Sequence, residues 1–141
     1  MANRTFFNTQ AVNRELKFLS VAGKVTGTGT SSATGAVVLY QGNTDQPVSI
    51  GATATADLRA SSGSGTSAIT FTLGDGTNVD KYEALLGVFY TPRNSAAPTH
   101  VTAVADTVKT DGKVVVTLNA EPATNDEFYV TFALKNTGVL R

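Results

Sequence analysis

The chain has 141 residues, enough for one domain with its own core and short of the length at which cores divide. Lysine plus arginine and aspartate plus glutamate number 11 each, so no summed field draws the chain to nucleic acid or an anionic membrane, and any partner must be recognised locally. The absence of cysteine excludes disulfides, thiolate metal sites and cysteine nucleophiles, and leaves stability to packing or association.

The opening "MANRTFFNTQAVNREL" has two arginines, adjacent Phe6 and Phe7, and the amides Asn3, Asn8, Gln10 and Asn13, with no regular period. Residues 1–13 are read as an extended N-terminal arm and residues 14–141 as a single β-domain. Arg4, Asn8, Gln10, Asn13 and Arg14 interrupt any apolar core of a secretory signal. Nor does any run approach the ~20 apolar residues that span a bilayer as a helix. The expectation is a chain made soluble in the cytosol and not exported by a signal peptide.

Threonine, valine and alanine dominate the rest of the chain, and apolar residues alternate with polar or small ones, which is the vocabulary of strands. "RELKFLSVAGKV" and "GAVVLYQG" are the first two candidates. "SAITFTL" is the clearest: Ile69, Phe71 and Leu73 fall on one face, Ala68, Thr70 and Thr72 on the other. "YEALLGVFYT" is ambiguous, since Tyr82, Leu85, Leu86 and Phe89 also fit helical spacing; Gly87 weakens a helix by ~1 kcal/mol, and the run Val88 to Thr91 favours strand. "HVTAVADTVKTDGKVVVTLN" reads as a hairpin turning at Thr110-Asp111-Gly112, with Gly112 free to take positive φ. "EFYVTFALK" closes the series with Phe128, Val130, Phe132 and Leu134 inward. About seven strands without a convincing long helix predict an all-β, single-domain antiparallel β-sandwich or jelly-roll. The Gly/Ser/Thr stretches "TGTGTSSATG" and "ASSGSGTS", and the Pro-punctuated "TPRNSAAPTH", read as exposed loops.

The search for chemistry favours structural readings. The single histidine, His100, has no nucleophile elbow for a triad and cannot anchor a multi-histidine metal site. "GDGTNVD" sets Asp75, Asn78 and Asp80 in a glycine-containing loop but lacks calcium-loop spacing and its terminal glutamate, so a turn with Asx hydrogen bonds is the preferred reading. Asp126 with Glu127, or Asp80 with Glu83, could be imagined as acid/base couples, although sequence proximity does not make a cleft. The glycine-rich stretches lack the lysine and following helix of a phosphate loop. Tyr40, Tyr90 and Tyr129 could offer rings to a sugar, but packing with a wet hydroxyl is the commoner use of tyrosine. No catalytic residue, cofactor or metal is assigned, and the expectation is a non-enzymatic structural or interaction protein.

Three blocks carry a resemblance: "MANRTFFNTQAVNRELKFL", "TFTLGDGTNVDKYEALL" and "FYVTFALKNTGV". Together they resemble a family of small tailed-bacteriophage virion structural proteins that begin Met-Ala-x-Arg-Thr-Phe and continue Gln-Ala-x-Asn-Arg-Glu. The similarity covers residues 2–19, 70–86 and 128–139, while residues 26–66 have no counterpart. The resemblance implies a head decoration or cement protein on the outer face of the major capsid lattice, self-associated as a homotrimer, with no nucleic acid or membrane partner. A tail- or fibre-associated role, or a carbohydrate-binding module of the virion, is the alternative. The implied location is the capsid surface, after synthesis in the bacterial host cytoplasm. Arg4 and Arg14 would pair with carboxylates, Phe6 and Phe7 would be apolar anchors, and Gln10 would join them in binding the partner. The competing reading packs Phe6 and Phe7 onto the chain's own body and leaves the arginines solvated.

Overall fold

Alternation of branched or aromatic residues with small polar ones becomes strand throughout the computed structural model, which describes residues 16–27, 36–40, 52–58, 67–74, 78–93 and 98–135. Eight strands result: β1 Leu16–Gly27, β2 Ala36–Tyr40, β3 Ala52–Leu58, β4 Ser67–Leu73, β5 Ala84–Arg93, β6 Val101–Asp106, β7 Lys113–Leu118 and β8 Glu127–Lys135. No helix occurs among the described residues. Residues 1–13, expected to form an arm, and most of the glycine-rich stretches lie outside them.

The strands form two four-stranded antiparallel sheets, ordered β2-β1-β8-β5 and β3-β4-β7-β6. The core lies between them, because the inward residues of both sheets belong to one buried cluster. In the first sheet these are Val21 and Val25 of β1 with Phe128, Val130, Phe132 and Leu134 of β8. In the second, Ile69, Phe71 and Leu73 of β4 meet Val114, Val116 and Leu118 of β7. Phe71 ties the two together. Its ring meets Phe132 edge-on at 5.1 Å and Phe128 at 6.2 Å, both rings of the opposite sheet. Such contacts are worth about 0.5–1.5 kcal/mol each beyond the burial itself.

The ambiguous "YEALLGVFYT" segment is a strand, and a bulge between Leu85 and Gly87 explains its mixed signal. Leu85 and Val88 pair with the inward Leu134 and Phe132, while the extra residue Leu86 is pushed out to solvent. Tyr82 is buried ahead of the strand, so Tyr82, Leu85, Leu86 and Phe89 never share one face. The expected hairpin is β6–β7, with a wider turn than three residues. The N–H groups of Thr110, Asp111 and Gly112 all donate to Thr107 O, and Val108 folds into the core. Gly112 takes φ +62°, and a Cβ there would lie 2.5 Å from Asp80 O. β3 is the strand that the sequence reading missed: it pairs with β4 from Ala52–Leu73 to Leu58–Ser67.

Replacement Phe71→Ala is expected to destabilise the fold by about 3–5 kcal/mol, seen in urea unfolding as a lower midpoint with an unchanged slope. Gly112→Ala is expected to cost about 1–3 kcal/mol in the same assay, and an unchanged midpoint would show that the turn tolerates a side chain there.

Candidate functional site

The residues first considered for chemistry are held by structure instead. His100 is exposed, and its backbone is clamped to Asn119: its N–H donates to the Asn119 side-chain oxygen at 2.8 Å and its carbonyl accepts from the Asn119 N–H at 3.0 Å. Asp126 is buried, and its carboxylate accepts the Ala123 N–H at 2.9 Å. Its backbone neighbours lock β1, since the Val25 N–H donates to Asp126 O and the Asn125 N–H to Val25 O. Glu127 follows on the opposite face of β8, so the two carboxylates do not form a couple. Glu83 pairs with Lys109 at 2.9 Å, and that lysine holds its carboxyl below the usual glutamate range; Asp80 instead donates its N–H to Leu73 O. Asp75 lies outside the described residues, among which no three acids, histidines or cysteines gather around a possible metal.

Tyr90 is not available as a sugar platform. Its ring stacks on Phe128 at 6.0 Å and 22°, its hydroxyl shares a 3.0 Å hydrogen bond with Thr99, and burial pushes its phenol up. The Tyr40 side chain lies outside what is described, as do Arg4, Phe6, Phe7, Gln10 and Arg14. Tyr129 is on the surface, and it leads to the feature that sequence reasoning missed.

Since Phe128, Val130, Phe132 and Leu134 point inward, Tyr129, Thr131 and Ala133 must line the outer face of the first sheet. The register sets their neighbours. Ala133 lies between Phe18 of β1 and Gly87 of β5, Thr131 between Ser20 and Phe89, and Tyr129 between Ala22 and Thr91. Phe18 is 61% exposed, Phe89 62% and Tyr129 45%, with Leu86 at 54% on the same strand as Phe89. Aromatic rings thus flank a furrow of small residues. At its centre Ser20 and Thr131 share a 2.8 Å hydroxyl hydrogen bond, and hydrogen bonds from Ser20 and Thr131 hold the Tyr129 phenol below its ordinary range. One end of the face carries Lys24, Glu127 and Arg93 in register, the other Leu16, Lys135 and Ala84.

The second sheet's outer face is different. Its described outward positions are Ala68, Thr70 and Thr72 of β4, Lys113, Val115 and Thr117 of β7, and Ala103 and Ala105 of β6. No aromatic residue stands among them. Where β5 and β6 border each other, Leu85, Leu86, Gly87, Val88, Val104 and Asp106 line an open groove of about 270 Å³. Bulges in both strands and Pro92 in β5 guard these edges against addition of a further strand. Side-chain packing on the first sheet's outer face is not opposed by these features. The signal was present in "EFYVTFALK", whose outward residues include an aromatic where a solvated face would carry only polar residues.

No protein-family model, curated protein or solved structure matches the chain.

Replacement Ser20→Ala is expected to move the Tyr129 phenol titration upward, toward the ordinary tyrosine value, when followed by phenolate absorbance with Tyr129→Phe as the reference. An unmoved titration would show that the hydroxyl cluster does not act on Tyr129.

Proposed function

We propose that this chain is a non-enzymatic structural protein of a tailed-phage virion, a head decoration or cement protein that binds the outer face of the major capsid lattice and stabilises the head. The observation that carries an associating role is the exposed aromatic face of Phe18, Phe89 and Tyr129 on the first sheet. The largest apolar patch on a monomer's surface, typically a few hundred Å², is often a functional one, and a cluster of exposed aromatic rings is the kind of surface that marks sites of interaction. The virion assignment itself rests on the resemblance of residues 2–19, 70–86 and 128–139. In this reading the two sheets are the layers of a β-sandwich, an architecture supported by the core they share.

The two associations are assigned to different parts of the chain. Arg4, Phe6, Phe7, Gln10 and Arg14 of the arm contact the major capsid protein, and the first sheet's outer face serves self-association. A homotrimer is the self-associated form that the family resemblance implies. A cement protein requires no active site: many copies of a modest contact, held on one lattice, add up to strong binding through high effective concentration.

Purified heads lacking the protein test this reading. The full chain is expected to bind them saturably and raise the temperature at which they release their genome, whereas a chain lacking residues 2–13 stays folded and does not bind. A full chain that fails to bind heads would remove the virion role, and full binding by the truncated chain would remove the arm from it.

A further inference from the structure

We infer that residues 136–141, Asn-Thr-Gly-Val-Leu-Arg, which follow β8 outside the described residues, dock in the groove between β5 and β6 of their own chain, with Val139 on Val104 and Arg141 on Asp106. The inference concerns how the chain closes its own core and does not depend on the virion role.

The groove is an unclosed edge of that core. Val104 and Asp106 stand opposite Val116 and Val114 in the β6–β7 ladder, so both fall in the phase that β7 turns inward. Val116 and Val114 are fully buried, yet Val104 is 43% exposed and Asp106 is exposed as well. Across the gap, Leu85 and Val88 of β5 are only partly covered. At the other edge of the first sheet, Val37 and Leu39 of β2 pack against the core. With about 270 Å³, the groove is below the ~300–1,000 Å³ of small-molecule sites, a size suited to a few side chains.

Reach singles out the occupant. The Lys135 carbonyl accepts the Glu83 N–H at 2.9 Å, so the chain leaves β8 beside the start of β5. From there the groove lies one strand spacing of about 4.8 Å to the side, about half of the ~10 Å between packed sheets deeper, and two residues along the strand, roughly 10 Å in all. The four steps from Lys135 to Val139 span about 13–14 Å when extended, enough to pass over β5. The crossing runs over small residues, Ala84 and Gly87, and a Cβ on Gly87 would meet nothing nearer than the Phe89 ring at 3.7 Å. Gly138 is free to take the turn into the groove. The N-terminal arm starts farther away, because β8 lies between β1 and β5.

Side-chain spacing and charge then fix the register. In an extended segment, side chains two apart share a side, so Val139 and Arg141 match Val104 and Asp106 on β6, while Leu140 faces Leu85 and Leu86 on β5. Asp106 accepts the Val108 N–H at a long 3.4 Å, which leaves most of its carboxylate open to a donor. Of the lysines in the following turn, Lys109 is engaged by Glu83, and Lys113 lies on the outward face of β7. An arginine supplies the planar fork that a carboxylate takes. The bulges that oppose a further strand at these edges do not oppose a segment held by its side chains.

Introduced cysteines test the docking, since the chain has none of its own. In the full chain, Val104→Cys with Val139→Cys is expected to close a disulfide under mild oxidation, seen by mass spectrometry of the unreduced monomer, whereas Thr70→Cys with Val139→Cys stays open. Val104→Cys alone is expected to react with a maleimide about fivefold faster or more when residues 136–141 are deleted, with an unchanged far-ultraviolet circular dichroism spectrum, and no faster when residues 2–13 are deleted. Asp106→Arg and Arg141→Asp are each expected to speed that labelling by about threefold or more, and the double reversal to return it to within about twofold of the parent. A Val104–Val139 cysteine pair that stays open, or closes only between two chains, overturns the proposal, as does labelling that the loss of residues 136–141 leaves unchanged. Acceleration on loss of residues 2–13 instead would assign the groove to the arm and overturn it equally. A double reversal that labels as fast as the single variants overturns the pairing of Arg141 with Asp106.

Discussion

The rest of the structure depends on Phe71 lying edge-on against Phe128 and Phe132 of the opposite sheet. With those rings fixed, β8 cannot slip by one residue against its neighbours, because a single step would turn Phe128, Val130, Phe132 and Leu134 out to solvent together. Burial of each such side chain contributes about 1.5–3 kcal/mol, so the slipped register is excluded by several times the thermal energy. The same constraint dictates the outer face. Once four residues of β8 are committed inward, Tyr129, Thr131 and Ala133 have no other place to go.

This explains which parts of the molecule were legible in the sequence. β4 and β8 were readable because large apolar residues alternate with small or polar ones without interruption. β5 was readable only toward its end, from Val88 to Thr91, because the bulge at Leu86 shifts the alternation by one and produces a spurious helical spacing. β3, with its Ala-Thr alternation, offers almost no hydrophobic contrast; its strand character comes from pairing with β4, which no local window contains. The same limit applies to Tyr90 and Tyr129. Both sit on strands and look alike in sequence, yet Tyr90 shares the buried face with Phe128 while Tyr129 is turned outward. Only the phase relative to the core separates them, and for β5 that phase follows a bulge. The candidate site was hidden for a related reason. Phe18, Phe89 and Tyr129 are far apart in the chain and become neighbours only through the β1–β8 and β5–β8 ladders.

The two outer faces give the molecule a direction. Small, largely threonine and alanine side chains cover the described part of the second sheet and are indifferent to water, whereas the first sheet presents rings around Ala133 and Thr131. Nothing in the core requires this asymmetry, since either set of residues satisfies the strand period. The β5 and β6 edges, by contrast, are interrupted by bulges and, in β5, by Pro92, which oppose strand-to-strand addition there. Protection of these two edges combined with an exposed aromatic face favours side-chain packing on the first sheet's outer surface over strand addition at β5 or β6.

A face of that kind also bears on how the proposed particle role would work. Many copies of one modest contact, held on one lattice, bind strongly through high effective concentration, so the proposed role would need only a weak contact from each copy, provided that the spacing of the copies matches the lattice.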